Sequence, residues 1–201
     1  CLYEEYGINC LQYLRGMFAF AIWDSNKQQL FCARDRFGIK PFYYYWHKGL
    51  FLFASELKAF HEHNRFEKRI DRSAVQAFIQ YGSVPTPHCI FQDCYKLKPG
   101  HFMTLDLSKK EIKATEYWNV YDAYNQPKME LSFEEAKKET TSILQKACEY
   151  RMVADVPVGV FLSGGYDSAA VTALLQENRT EKLKTFTIAV PDIGLNEAPY
   201  A

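Results

Sequence analysis

Val156-Pro157-Val158-Gly159-Val160-Phe161-Leu162-Ser163-Gly164-Gly165-Tyr166-Asp167-Ser168 runs from apolar residues through two glycines into a helical pattern over Ala169 to Gln176. The order predicts a strand, a short loop and a helix start. Two glycines let the backbone turn tightly and expose its N–H groups, and the helix start adds free amides and the positive end of its dipole. That combination predicts an anion site the size of a phosphate. No lysine follows the glycines, so the loop is not a Walker A sequence. The site would rely on amides, on the hydroxyls of Ser163 and Ser168, and on a metal at Asp167. Such a site suits ATP cleaved between its α and β phosphates, with pyrophosphate held in the loop.

A strand followed by Ser-Gly-Gly is also compatible with a small-residue turn that binds nothing. The surroundings weigh against that. Thr185-Phe186-Thr187-Ile188-Ala189-Val190 is a second apolar run, reached after one helix and a polar turn over Glu177 to Lys184, the spacing of a βαβ unit in a parallel sheet. Ligands of such sheets sit at the carboxyl ends of the strands, where the loop and the end of the second run both fall.

The segment Arg151 to Ala201 resembles the N-type ATP pyrophosphatases, whose loop reads Ser-Gly-Gly-x-Asp-Ser. The string Arg151-Met152-Val153-Ala154-Asp155-Val156-Pro157-Val158-Gly159-Val160-Phe161-Leu162 before it resembles the synthetase domain of glutamine-dependent asparagine synthetases. In that family a carboxylate attacks the α-phosphate of ATP, and ammonia then displaces AMP. The resemblance implies that Ser163, Gly164, Gly165 and Ser168 bind pyrophosphate and that Asp167 ligates Mg2+. It further implies that the backbone of Phe161 and of Ile188 contacts the adenosine portion.

The front of the chain points to the same family. Leu14-Arg15-Gly16-Met17-Phe18-Ala19-Phe20-Ala21-Ile22-Trp23-Asp24 reads as a strand, Ser25 to Gln28 as a hairpin turn, and Gln29 to Ala33 as its return. Arg34-Asp35-Arg36-Phe37-Gly38-Ile39-Lys40-Pro41 follows, then strands over Phe42 to Trp46 and Leu50 to Ala54 around a His47-Lys48-Gly49 turn. This antiparallel meander, with Ala54-Ser55-Glu56-Leu57-Lys58-Ala59 after it, resembles the second half of class II glutamine amidotransferase domains, which are N-terminal-nucleophile hydrolases. Read as residues alone, Arg34-Asp35 is a local ion pair or turn-stabilising pair, Gly38 supplies an unusual backbone angle and Pro41 stiffens the next strand. The resemblance implies that Met17 and Ile39 line the passage that carries neutral ammonia between two active sites.

The fold class expected is an α+β N-terminal part, the second half of an N-terminal-nucleophile hydrolase domain, followed by the start of an α/β parallel-sheet ATP pyrophosphatase domain. Residues 1–65 are assigned to the glutaminase domain, 66–130 to an interdomain connecting segment, and 131–201 to the synthetase domain. Within the connector, Asp71 is an N-cap candidate for a helix over residues 72–81, and Lys96 to Leu105 reads as a turn and strand. Ser132-Phe133-Glu134-Glu135 is a capping-box sequence. It starts a long helix through about Met152, with Ala136, Ile143, Leu144 and Ala147 on its buried face.

A class II glutaminase uses an N-terminal cysteine as nucleophile, with its own α-amino group as base. Cys1 is not assigned that role. Leu2-Tyr3-Glu4-Glu5-Tyr6-Gly7 resembles a helix deep inside the family's domain, and the family's nucleophile is followed by glycine. The chain is therefore expected to be truncated at both ends, with no catalytic residue of its own and the nucleophilic cysteine upstream.

Across 201 residues, acidic and basic side chains number 24 each, which gives no electrostatic footprint for nucleic acid or a membrane surface. No apolar stretch reaches transmembrane length. Six cysteines without a Cys-x-x-Cys spacing read as reduced thiols of a cytoplasmic protein. His88, Cys89, Cys94 and His101 lack the spacing of a zinc site.

The resemblance implies glutamine, ATP and aspartate as substrates, Mg2+ as cofactor, and asparagine, AMP, pyrophosphate and glutamate as products. Tyr166 stands in a slot usually aliphatic, and Asn196-Glu197 where an acidic pair is common. Both suit an alternative in which a sugar acid of surface polysaccharide synthesis is amidated. A further alternative is a non-catalytic relative that retains the nucleotide site. A phosphoribosyl-transferring amidotransferase is disfavoured, because its back half would carry a different phosphate loop.

Overall fold

The computed structural model describes residues 1–190 and 196–201. It forms two compact units, Cys1–Gln126 and Pro127–Ala201. Part of the 191–201 stretch singled out in the sequence, residues 191–195, lies outside the described residues.

The first unit begins with helix α1 (Leu2–Tyr6) and a 3-10 turn (Gly7–Gln12). Strands β1 (Ala19–Asp24) and β2 (Gln29–Arg34) follow as a hairpin. Asp24 closes its turn by accepting the N–H groups of Asn26 and Lys27 at 3.1 and 3.0 Å, the local carboxylate bonding that favours aspartate at such corners. Next come β3 (Tyr43–His47), β4 (Leu50–Ala54), a 3-10 turn (Leu57–Glu62) and helix α2 (Arg72–Tyr81). The unit ends with β5 (Cys94–Lys96), β6 (His101–Asp106), β7 (Glu111–Glu116) and helix α3 (Val120–Tyr124).

All strand pairings in this unit are antiparallel, in two sheets ordered β1-β2-β6-β7 and β4-β3-β5. Alternation along β2 splits its side chains between two cores, as the pleat requires. Phe31 and Ala33 are buried with Cys10 and Leu11 of the first 3-10 turn, and Cys32 is buried with Phe42, Leu97 and Met103. Along β3, Tyr44 packs on that second core while Tyr45 enters a third with Phe60, Phe91, Cys89 and Cys94. The two sheets therefore lie face to face, and each outer face is covered by a 3-10 turn. Burying Phe31 completely is worth about 2–3 kcal/mol by area transferred from water.

The segment read as a connector from the sequence, residues 66–130, contributes α2, β5, β6 and β7 to this unit. The reason is non-local. Strand β6 pairs with β2 in the register Leu30↔Leu105 and Cys32↔Met103, and no local pattern encodes a partner so distant in sequence. Asp71 caps α2 as expected, accepting from the N–H groups of Ser73 and Ala74 at 2.9 and 3.3 Å.

The second unit contains helix α4 (Phe133–Arg151), β8 (Val160–Phe161), helix α5 (Tyr166–Glu177), β9 (Thr185–Phe186) and a 3-10 turn (Ala198–Tyr200). The capping box of α4 is formed: Ser132 Oγ accepts from Glu135 N at 3.4 Å, and Glu135 Oε2 accepts from Ser132 N at 2.9 Å. Strands β8 and β9 pair in parallel with Val160↔Thr185 and Phe161↔Phe186, so β8-α5-β9 is a βαβ unit. Both strands are shorter than the apolar runs that contain them. With a single partner each among the described residues, only the residues next to the crossover are held in the ladder. The face expected to be buried on α4 is open within this unit: Ile143, Leu144 and Ala147 are exposed, Ala136 is half-buried, and no residue of the helix is fully buried. A two-stranded sheet is too narrow to cover a helix of 19 residues.

Candidate functional site

In the first unit, the residues singled out around Arg34 to Pro41 form a turn organised by one carboxylate. Asp35 is 1 % exposed. Its Oδ1 accepts the N–H groups of Phe37 and Ile39 at 3.2 and 2.9 Å, and its Oδ2 those of Lys40 and Phe18 at 2.9 and 3.3 Å. Four amide donors replace the water that a buried carboxylate would otherwise lack. Gly38 takes φ +65°, which a Cβ would oppose. Arg34 spends its guanidinium on the carbonyls of Lys40, Leu97 and Gly38, at 2.8, 2.7 and 2.6 Å. Of the two local readings of Arg34-Asp35, turn stabilisation therefore describes it. No ion pair joins the two side chains among the described residues.

Met17 and Ile39 are both surface residues of this unit, 44 % and 58 % exposed. Asp35 links them, because it holds the amide of Ile39 and the amide of Phe18, the residue after Met17. A cleft of about 590 Å3 nearby is lined by Arg36, Phe37, Trp118 and Tyr121 among others, and neither Met17 nor Ile39 lines it. Cleft residues Trp118 and Tyr121 carried no signal in the sequence beyond their aromatic character. Cys89 and Cys94 are core residues whose thiols burial pushes up to about 11 and about 12.

In the second unit, the loop Ser163-Gly164-Gly165 joins β8 to α5, with Gly165 as the helix N-cap. Two hydroxyls hold it. Ser168 Oγ accepts the N–H of Ser163 at 3.0 Å and lies 2.8 Å from Ser163 Oγ, which accepts the N–H of Gly165 at 3.3 Å. Ser163 and Ser168 are thus brought together across the loop, and serine at both positions has a structural reason apart from any ligand. The first helical bond runs from Ala169 N to the Gly165 carbonyl at 3.2 Å. The amides of Tyr166, Asp167 and Ser168 thus stand in the turn that a helix leaves without internal partners. Their dipole end favours negative charge there.

The other residues singled out surround this loop. Asp167 is exposed in the first turn of α5, with no hydrogen bond or ion pair among the described residues. Phe161 and Ile188 are 80 % and 78 % exposed. The parallel ladder uses the N–H groups of Val160 and Leu162, bonded to the carbonyls of Lys184 and Phe186 at 2.9 Å each. Alternation therefore turns the Phe161 amide away from β9. Thr187 Oγ1 donates to the Leu162 carbonyl at 2.8 Å, tying the end of β9 to the residue before the loop. Tyr166, the first residue of α5, is 95 % exposed.

A glutamine amidotransferase domain family matches residues 1–118, and an asparagine synthase family matches residues 139–201. Antiparallel sheets with helices, as in the first unit, are consistent with the former. Over 206 residues the chain is 40% identical to a putative asparagine synthetase 2 (glutamine-hydrolysing) of Methanocaldococcus jannaschii, covering 99% of this chain and 38% of the relative. Over 173 residues it is 39% identical to asparagine synthetase 3 (glutamine-hydrolysing) of Bacillus subtilis, covering 86% of this chain and 27% of the relative. It is also 36% identical over 174 residues to amidase chry2 of Gibberella zeae, covering 87% and 25%. The chain thus spans between a quarter and about two fifths of the length of these relatives. With one family model over the first 118 residues, the second over residues 139–201, and synthetases aligned along nearly all of it, the chain belongs to the glutamine-hydrolysing asparagine synthetase family.

Proposed function

We propose that the intact protein is an ATP-dependent ligase that takes its amide nitrogen from glutamine and makes asparagine from aspartate. In this reading the aspartate side-chain carboxylate oxygen attacks the α-phosphorus of ATP and pyrophosphate leaves. Ammonia from glutamine then attacks the acyl carbon, and AMP leaves with the carboxylate oxygen. Ser163, Gly164, Gly165 and Ser168 hold the pyrophosphate end, and the backbone of Phe161 and Ile188 meets the adenosine portion. Residues 1–65 belong to the glutaminase part and 131–201 to the synthetase part. Met17 and Ile39 border the route of ammonia, where apolar side chains favour the neutral molecule. The setting is the cytoplasm, where six free cysteines remain reduced.

The observation that carries this reading is the loop itself. Two hydroxyls, bonded to each other across the loop, hold Gly165 after the end of a parallel strand, and three free helix amides follow. Asp167 fits a role toward Mg2+. Its carboxylate has no competing partner among the described residues, and magnesium commonly takes one or two protein carboxylates and completes its shell with phosphate oxygens and water. No cluster of three or more metal-binding side chains is found among the described residues, so Asp167 would act with the phosphates rather than within a protein cage. When bound, Mg2+ would supply positive charge to the phosphate oxygens.

A second reading keeps the chemistry and moves the acceptor to a sugar acid. It is favoured by Tyr166, a residue in a slot usually aliphatic that stands exposed at the start of α5, next to the loop, and takes no part in the loop's hydroxyl bonding. The test is release of pyrophosphate and AMP by the intact protein, given ATP, Mg2+ and ammonia, over a panel of aspartate and sugar acids. Release with aspartate supports asparagine synthesis, and release only with a sugar acid selects the second reading. No release with any acceptor contradicts both and favours a non-catalytic nucleotide site.

A further inference from the structure

The two glycines of the loop stand in different surroundings. A Cβ placed on Gly164 would lie 3.0 Å from Cβ of Tyr200 and 3.7 Å from both Cβ and the carbonyl oxygen of Glu197. Such a separation from Tyr200 is tighter than carbon atoms normally accept, since their optimal spacing is about 3.5–4.0 Å. A Cβ placed on Gly165 would meet only Ser163 Oγ, at 3.4 Å, an ordinary contact. The backbone of Gly165, at φ −88° and ψ 153°, is open to any L-residue. Packing among the described residues therefore crowds any side chain at 164 against Tyr200 and leaves 165 free to carry one.

The partner of Gly164 is held by its own local bonds. Tyr200 N donates to the Glu197 carbonyl at 2.9 Å, and Ala198 N donates to Asn196 Oδ1 at 3.2 Å. Gly165, by contrast, is the N-cap of α5, next to the free amides of the first turn. A side chain there would stand next to the amides toward which an anion is drawn.

We propose that the two glycines have separate tasks, an inference that rests on the phosphate site read above. Gly165 leaves room for the bound phosphate. Gly164 seats the Ala198–Tyr200 turn, which makes Tyr200 a positioning residue that fixes the loop through Gly164.

The test is calorimetric binding of inorganic pyrophosphate with Mg2+ to the intact protein. It compares the parent, Gly164→Ala, Gly165→Ala, Tyr200→Gly, and the two double variants that add Tyr200→Gly to each alanine. Both alanines are expected to weaken binding by about tenfold or more, a readable step in affinity. Tyr200→Gly removes the Cβ that the new methyl group at position 164 would strike, so it should return that double variant to the affinity of Tyr200→Gly alone. The Gly165→Ala loss should persist in its own double variant. Thermal melting accompanies each titration. If Gly164→Ala fails to fold, return of the melting transition in its double variant is the same expected rescue, and no return overturns the proposal. Rescue of neither alanine, equal rescue of both, or a harmless Gly165→Ala would also overturn it. Absence of binding by the parent would instead remove the phosphate reading, and this inference with it.

Discussion

Asp35 Oδ1 accepts the backbone N–H of Ile39 at 2.9 Å inside a carboxylate site that is otherwise closed to water. Three further amides share the same side chain, from Phe18, Phe37 and Lys40. Asp35→Ala would leave these donors without their acceptor, and hydrogen bonds to a buried charge are worth about 1.5–3 kcal/mol each before compensation by water. The expected loss is about 3 kcal/mol or more in urea unfolding. Asp35→Asn keeps one oxygen but turns an NH2 group toward amide donors, so it should recover less than half of that loss. A variant as stable as the parent would show that these bonds hold little of the turn.

Gly38 and Gly49 both have positive φ, +65° and +73°, but their surroundings differ. A Cβ on Gly49 would meet nothing within 4 Å, whereas one on Gly38 would lie 2.8 Å from Pro99 Cγ and 3.0 Å from Arg34 Cζ. Gly49→Ala should cost only the left-handed backbone penalty, about 1–2 kcal/mol. Gly38→Ala should cost clearly more, because it also displaces Arg34 from the carbonyls it serves. Equal melting temperatures for the two variants would contradict the crowding at Gly38.

Features written into neighbouring residues were legible in the sequence. The Ser25 to Gln28 turn, the Asp71 cap and the Ser132 capping box each need only three or four adjacent side chains, and all three are formed. The strand, loop and helix around Ser163 were legible for the same reason. The place of β6 beside β2, with β7 on its far side, was not, because pairing depends on which distant edge is free. The burial of Asp35 was also hidden. Its neighbours in sequence left an ion pair with Arg34 and a turn-stabilising pair both open, and four amides, one of them from Phe18, decide its environment. At the loop, residue types indicated glycine for ligand approach, and only coordinates could separate the surroundings of Gly164 and Gly165.

Burial pushes the thiols of Cys32 and Cys94 up to about 12 and that of Cys89 up to about 11, from an ordinary value of 9.0. Their folded values lie above the unfolded ones, so the folded state binds more protons in the alkaline range. The stability they contribute is complete below about pH 9 and is lost as pH rises toward 11–12. Tyr3 and Tyr117, both pushed up to about 12 chiefly by burial, act in the same direction from about pH 10. Melting temperature should therefore fall above about pH 9. Replacing all three cysteines by alanine should lower stability overall while flattening that fall. In thiol labelling of the folded protein at about pH 8, Cys1 should react first and Cys32, Cys89 and Cys94 only on unfolding. An unchanged alkaline slope in the triple variant would refute the assignment.

Asp167 is the only carboxylate in the first turn of α5, and it is exposed without a partner among the described residues. Its removal should therefore cost the fold almost nothing, within about 0.5 kcal/mol, as for surface changes away from packed features. In the proposed reaction, however, it is the residue that meets Mg2+ beside the phosphates. Asp167→Asn in the intact protein should abolish AMP and pyrophosphate formation while glutamine hydrolysis remains measurable, because the glutaminase chemistry is assigned to the other part of the protein. Replacing glutamine by free ammonia should not restore AMP formation, since the missing step precedes ammonia's entry. Loss of both activities in a protein that melts like the parent would contradict this division of labour.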